Sequence, residues 1–466
     1  MNARSNPQLP EGYKQTDVGV IPVDWEDKSL IDITVLLTNG FVGPATMHYT
    51  TQKDGVLYIQ GYNVWENSFN LNGIKYVTRE FHDRHKKSHL VEGDLLTVQT
   101  GDVGLTTWVP SCLVGSNCHA LIITRFKKSF SSKYVSYYLN SKPGRARLRL
   151  IETGTTMKHL NCGDMLHFEI PLPPTKAEQE AIAEALGDAD AWIESLESLI
   201  AKKRLIKQGT MQELLSGKTR LPGFEFTTGT KQTEVGEIPK DWFVYSILQL
   251  AEGKKEFFDD GDWIESEHIT DKGIRLIQTG NIGIGRFTEK DDKKYINQKS
   301  FEKLRCKQLI KGDLLICRLA EPAGRACVLG GIGEDKIVTS VDVTIFRPPL
   351  EKADRIFISN LFSTEDWFNK VSDRSGGTTH KRISRGALGR IKIAIPEIRE
   401  QTAIAKILSD MDTDIEALES KLQKARQIKE GMMAELLTGK TRLVEVSKSK
   451  LKYEQTKPDL QMVAEK

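Results

Sequence analysis

No apolar run in this chain approaches the ~18 residues that a membrane-crossing helix needs. The opening residues, Met1-Asn-Ala-Arg-Ser-Asn-Pro, lack the apolar core of a signal peptide, so a cytoplasmic location is expected. Cysteine is scarce: Cys112, Cys118, Cys162, Cys306, Cys317 and Cys327, with no CxxC pair among them. Zinc-ribbon and thioredoxin-like readings lose their signature, and scattered single thiols suit a reducing compartment. Catalytic signatures are missing too. Without a GxxxxGK(S/T) phosphate loop, ATP hydrolysis by this chain is not expected. Amino-methyltransferases carry Asp, Asn or Ser before Pro-Pro-aromatic; here Pro171-Leu-Pro-Pro174 carries none of them. There is no HExxH or GxSxG. Asn281-Ile-Gly-Ile-Gly285 lacks the third glycine of a dinucleotide loop and reads as a turn.

The 466 residues exceed what one core holds, so two to three domains are expected. An apolar content of 39% and a charged content of 28% are those of a globular protein. Net charge is only +3, but its distribution is uneven. Asp27 to Arg149 holds 15 Lys+Arg against 9 Asp+Glu, and Val244 to Lys392 holds 26 against 22. A modest basic excess in both stretches points weakly to a polyanionic partner.

What the chain does have is a repeat. Lys14-Gln-Thr-Asp-Val-Gly-Val-Ile-Pro-Val-Asp-Trp25 returns as Lys231-Gln-Thr-Glu-Val-Gly-Glu-Ile-Pro-Lys-Asp-Trp242. Gly93-Asp-Leu-Leu96 returns as Gly312-Asp-Leu-Leu315, and Gly154-Thr-Thr-Met-Lys158 as Gly377-Thr-Thr-His-Lys381. Each copy closes on a long helical stretch ending in Gly-Lys-Thr-Arg-Leu, at Leu221 and Leu443. The period is several times that of a solenoid. The frames are alike and the interiors diverge, as expected of a protein that reads two different things. The interiors read as mixed α/β. Ala120–Phe126 has the β-branched and aromatic content of a strand, Lys133–Asn140 reads as a helix, and Gly163, Asp164 and Gly386 are expected in loops.

The stretch from Thr175 to Leu221 reads as one long helix. Its apolar positions Ile182, Leu186, Ala189, Ile193, Leu196 and Ile200 follow 4-3 spacing, as do Ile404, Leu408, Met411, Ile415, Leu418 and Leu422 in the second copy. That spacing marks a coiled-coil seam. In both helices an acidic half precedes a basic half. Parallel pairing would oppose like charges, so antiparallel pairing is expected. The resulting fold class is α+β: two similar mixed α/β domains joined by an antiparallel helix pair, with internal pseudo-two-fold symmetry. The expected boundaries are 1–174 and 222–396 for the domains, 175–221 for the central helix and linker, 397–443 for the C-terminal helix, and 444–466 for a polar, disordered tail.

Phosphates are met by Lys, Arg and loop N–H groups, and base edges by Arg, Lys, Asn and Gln. Candidate DNA contacts in the first copy are therefore Lys86, Lys87, Arg145, Lys158 and His159. In the second copy they are Gln278, Asn281, Arg318, Arg325, His380, Lys381, Arg382 and Arg385. The bland alternative for the Gly-Thr-Thr-x-Lys pair is a helix cap followed by a solvated lysine. His82, His85 and His89 have spacing for a metal, but the surrounding cations favour a basic surface instead. Gly-Asp-Leu-Leu reads as a structural turn feeding a core strand.

These motifs, in this order and twice over, resemble the specificity subunit of type I restriction-modification enzymes. The resemblance covers Tyr13 to Leu443. It implies two target-recognition domains, each reading half of a bipartite asymmetric site in double-stranded DNA. It also implies that the helices set the spacer and dock two methyltransferase subunits. No catalysis and no bound cofactor are expected of this chain. S-adenosylmethionine, ATP and Mg are implied for the partners, which include restriction subunits. Two other readings compete: a coiled-coil scaffold that binds no specific DNA, and a self-contained restriction enzyme, which the missing methyltransferase motif disfavours.

Overall fold

The computed structural model describes residues 9–224, 229–377 and 381–443; the polar tail 444–466 lies outside them. The described residues fall into two compact units, one made of 9–196 with 421–443 and the other lying within 197–420. Each unit holds one interior and a stretch of both long helices.

In the first unit a four-stranded antiparallel sheet runs in the order Thr106–Trp108, Leu95–Val98, Leu121–Phe126, Thr34–Asn39. A second sheet runs Asn117–Cys118, Gly55–Ile59, Lys75–Thr78, Tyr49–Thr50, with its first pair parallel. The second unit repeats this plan. Ala326–Val328, Leu314–Cys317, Val343–Phe346 and Phe258–Asp260 form one sheet. Ile337–Thr339, Ile274–Ile277, Lys294–Ile296 and Ile269–Thr270 form the other. Leu95–Val98 and Leu314–Cys317 are buried at every position, as central strands covered on both faces must be.

The shared motifs are the fasteners of this plan. Asp94 and Asp313, the acids of the two Gly-Asp-Leu-Leu turns, are fully buried. Asp94 accepts from Arg125 Nε at 2.7 Å and from the Val91 amide at 2.9 Å. Asp313 does the same with Arg347 at 2.6 Å and Ile310 at 2.8 Å. Gln179 and Gln401 are buried at the starts of the long helices. Each accepts one backbone N–H from the domain it leaves, at Ser131 and Asp354, and donates to a proline carbonyl, at Pro173 and Pro396.

The first long helix spans Lys176–Leu215 and the second Ile398–Leu436. The helix expected to run to Leu221 therefore stops six residues early. Gly217 has φ +70°, and a Cβ there would meet Pro239 Cγ at 2.6 Å. Gly439 has the same φ and would meet Pro22. A left-handed glycine ends each helix and turns the exit back onto the start of a domain. Arg220 then forks between Glu400 (2.7 and 2.8 Å) and Asp241 (2.8 Å twice), with its guanidinium 6.0 Å over Trp242. Arg442 repeats the fork with Glu178 (2.6 and 2.9 Å) and Asp24 (2.8 and 2.9 Å), over Trp25.

The two helices pack antiparallel. In the first unit Lys429 pairs with Asp190 at 2.6 Å. In the second, Lys203 pairs with Asp414 at 3.0 Å, Lys207 with Asp412, and Arg204 with Glu419. Residue numbers rise along one helix as they fall along the other, and acidic halves meet basic halves. Exposed pairs of this kind contribute about 0–1 kcal/mol each, so they set orientation more than stability.

The expected seam has two kinds of position. Ile182 and Leu186 belong to the first domain's core with Tyr134 and Leu436, and Ile404 and Leu408 to the second's with Phe357. Leu196, Ile200 and Ile415 are also buried, and Ile193, Met411, Leu418 and Leu422 are half-buried. Gly163, Asp164 and Gly386, expected in loops, lie in the short helices Cys162–Leu166 and Arg385–Gly389. Buried Met165 and Leu388 anchor those turns, and the Ser384 side chain caps the second. Tertiary burial overrides the low helix propensity of glycine here.

Candidate nucleic-acid interface

At one end of the first sheet the loop 153–159 closes on itself. Thr153 and His159 exchange backbone hydrogen bonds at 2.9 Å, and His159 Nδ1 lies 3.1 Å from Thr100 Oγ1. Gly154 has φ +91°, and a Cβ there would strike the Met157 carbonyl, so the turn requires glycine. Residues 153–158 are exposed, Lys158 among them. No helix begins on this loop. The next one, Cys162–Leu166, has Asn161 at its N-cap, which removes the capping alternative for the first copy. In the second copy Gly376 and Arg382 exchange the same bonds, and Leu319 bridges Arg382 as Thr100 bridges His159. Gly377 has φ +105° and Lys381 is exposed. His380 lies outside the described residues.

The remaining candidates separate by direction. Lys86 and Lys87 are exposed on the short helix Lys86–Ser88. Together with Lys158 and Lys381 they have no ion pair among the described residues. Arg382 pairs with Asp342 at 2.7 Å and is about half exposed; Arg385 pairs with Asp259.

Several candidates point inward, with their polar groups engaged inside the fold. Arg318 is only 3% exposed. It lies 3.1 Å from Asp260 and donates to the carbonyls of Ile383 and Val341. Burial holds its guanidinium below the usual arginine value. Its counterpart in the first copy is Gln99, which donates to Asn39 at 2.9 Å and to the Leu160 carbonyl at 3.1 Å. The same joint is charged in one domain and neutral in the other. Arg325 spends its guanidinium on four carbonyls, those of Ile282, Leu319, Pro322 and Thr279. Asn281 is 4% exposed and ties the Gln278 amide to the Thr288 carbonyl. Asn63 does the same between Gln60 and Asn70. Arg145 is half-buried, with Nη1 enclosed and close to Gly104, so it supports the loop 101–104 from beneath. Gln278 remains half-exposed.

The three histidines do not converge. The His82 and His89 rings stack 3.7 Å apart, while His85 packs between Phe41 and Phe81. Burial lowers the affinity of His82 and His85 for protons. Among the described residues no group of three or more His, Cys, Asp or Glu is placed to hold a metal, and no helix is long and apolar enough to cross a membrane. Sequence reasoning missed Lys290 and Trp263, which flank Gln278 in a cleft of the second domain. Neither belongs to a repeated motif, so no signal in the chain singled them out.

Comparison with known proteins agrees with this duplicated plan. The family model for the type I restriction modification DNA specificity domain matches residues 22–203 and again 239–427. A Methanocaldococcus jannaschii protein, named as a candidate specificity subunit of the type I restriction enzyme MjaX, is 26% identical over 442 residues, covering 93% of this chain and 97% of that one. The type I restriction enzyme MjaVIII specificity subunit of the same organism is 27% identical over 320 residues, covering 68% and 72%. The crystal structure of a type I restriction-modification S subunit from M. genitalium superposes with a TM-score of 0.54 at 16% identity, over 92% of this chain and 97% of that chain.

Proposed function

Because this chain belongs to the type I restriction-modification DNA specificity family, and so is the non-catalytic DNA-specificity subunit of such a system, we propose that it reads a bipartite, asymmetric site in double-stranded DNA, one half with each domain. The observation that carries the reading is one frame built twice around two different interiors. The Arg220 and Arg442 forks, the Asp94 and Asp313 turns and the Gln179 and Gln401 pins are the same in both copies. The joint at Gln99 and Arg318 is not. A device that recognised one symmetric site would have no use for the difference.

The paired helices set the spacer and dock two methyltransferase subunits, and restriction subunits join that assembly in the cytoplasm. S-adenosylmethionine, ATP and Mg belong to those partners, and this chain binds none of them. Lys86, Lys87, Lys158 and Lys381 meet phosphates, which makes affinity fall steeply with salt.

The test is methylation of a randomised duplex library by the full chain together with its methyltransferase subunits. A split motif with an unspecified spacer is expected. Methylation without regard to sequence would overturn the proposal.

A further inference from the structure

The second domain holds a cleft of about 450 Å³ lined in part by Leu319, which bridges Arg382. Trp263, 66% exposed, and the segments Gln278–Asn281 and Ser340–Asp342 form its walls. Arg275 lies against it, only 1% exposed, with Nε lacking any hydrogen-bond partner.

Its charges are unequally engaged. The acids are spoken for: Asp262 by Lys307 at 3.0 Å, Asp342 by Arg382 at 2.7 Å and Asp292 by Lys294 at 2.9 Å. Lys290 has no ion pair among the described residues, and its Nζ rests against Gly280, where an added Cβ would collide with it. The Gln278 backbone is held by Asn281, whose Oδ1 accepts its N–H at 3.0 Å and whose own N–H donates to its main-chain carbonyl at 2.9 Å, while the half-exposed side-chain amide keeps its NH₂ to donate. Lys290 is thus the cleft's cation without an acid to meet, and it stands beside the Gln278 amide.

This chemistry is private to the second copy. Asp262 and Phe41 make equivalent bridges in their two domains. Phe41 packs its ring 4.9 Å from Phe81 and 4.5 Å from His85, filling with aromatic carbon the place that Asp262 leaves polar.

Resting on the proposed function above, we infer that this cleft is where the second domain reads its half-site, with Lys290 and Gln278 as specificity-determining residues that select a guanine. Guanine alone presents two adjacent acceptors, N7 and O6, in the major groove, and paired donors are what match them. Lys290 supplies three N–H donors and Gln278 two. Trp263 gives the base an apolar wall at the mouth.

The experiment selects a randomised duplex library on the full chain assembled with its methyltransferase subunits. Wild type, Lys290→Ala, Gln278→Ala and Gly280→Ala are compared, with thermal melting of each. Wild type enriches a split motif with a G·C pair in one half. Lys290→Ala relaxes that position alone, lowering its discrimination roughly five- to a hundred-fold, and leaves the other half unchanged. Gly280→Ala displaces only the end of a flexible side chain, so it shows the same loss in weaker form with unaltered melting. A wild-type motif that all three folded variants retain would overturn the inference while leaving the proposed function intact. A wild type that enriches no motif would overturn both.

Discussion

Arg442 and Glu178 are 264 positions apart in the sequence and 2.6 Å apart in space. Arg220 and Glu400 repeat the relationship over 180 positions. Each Gly-Lys-Thr-Arg exit thus fastens the start of the other long helix to the start of a domain. Glu400 is almost completely buried and Asp241 is partly buried. Arg220→Ala strands both carboxylates, and breaking a buried pair of this kind costs about 3–5 kcal/mol. Denaturant unfolding of the full chain checks it; a loss below ~1 kcal/mol would show the fork to be ornamental.

The same forks give a pH signature. The Arg220 hydrogen bonds hold Asp241 below the usual aspartate range, and the Arg442 hydrogen bonds do the same for Asp24. A depressed folded-state value contributes stability that is complete above the unfolded value, about 3.9, and is lost as pH falls through the folded one. The melting temperature is expected to drop as pH is lowered below ~4, and to drop less in Arg220→Ala. Identical acid profiles for the two proteins would refute this.

Arg318 and Asp260 are the charged version of Gln99 and Asn39. Arg318→Gln alone leaves Asp260 with only the more distant Arg385, at 3.9 Å, and is expected to destabilise by about 3 kcal/mol. Adding Asp260→Asn imports the neutral joint of the first domain and should restore more than half of that loss. A double variant no better than the single would mean the two joints are not interchangeable.

Lys158 and Lys381 are exposed and have no ion pair among the described residues. Alanine at either is expected to weaken binding to all duplexes alike and to reduce the salt slope by about 1, without altering the preferred motif. A change in motif would make that lysine a base reader.

The spacer proposal is tested by inserting one heptad, ~10.5 Å of helix, into both long helices at facing positions after Ile200 and before Ile415. Spacer preference should change while both half-site sequences stay the same. A change in half-site sequence would refute the ruler.

The sequence revealed most of the frame because its signals are local or repeated. The acid-to-base order along each helix predicted antiparallel packing, and Lys203 with Asp414 shows why: the blocks match only when the helices run oppositely. Gly-Asp-Leu-Leu was legible because a turn and a fully apolar strand are adjacent. What escaped depended on distant partners. Arg318 at a strand end reads alike whether it faces solvent or Asp260, 58 positions earlier. His85 looked like part of a basic surface until Phe41 and Phe81 closed over it. The helix end was misplaced because Gly217 is one glycine in an otherwise helical run, and its left-handed φ answers to Pro239 rather than to its neighbours.

The forks also fix the order in which the molecule is completed. Residues 197–420 form one unbroken unit, whereas the first unit lacks its closing helix turns and Arg442 until residues 421–443 arrive. A ribosome making this chain therefore delivers the later unit whole while the earlier one still waits, with Glu178 and Asp24 open. The portion translated first is the last to be finished.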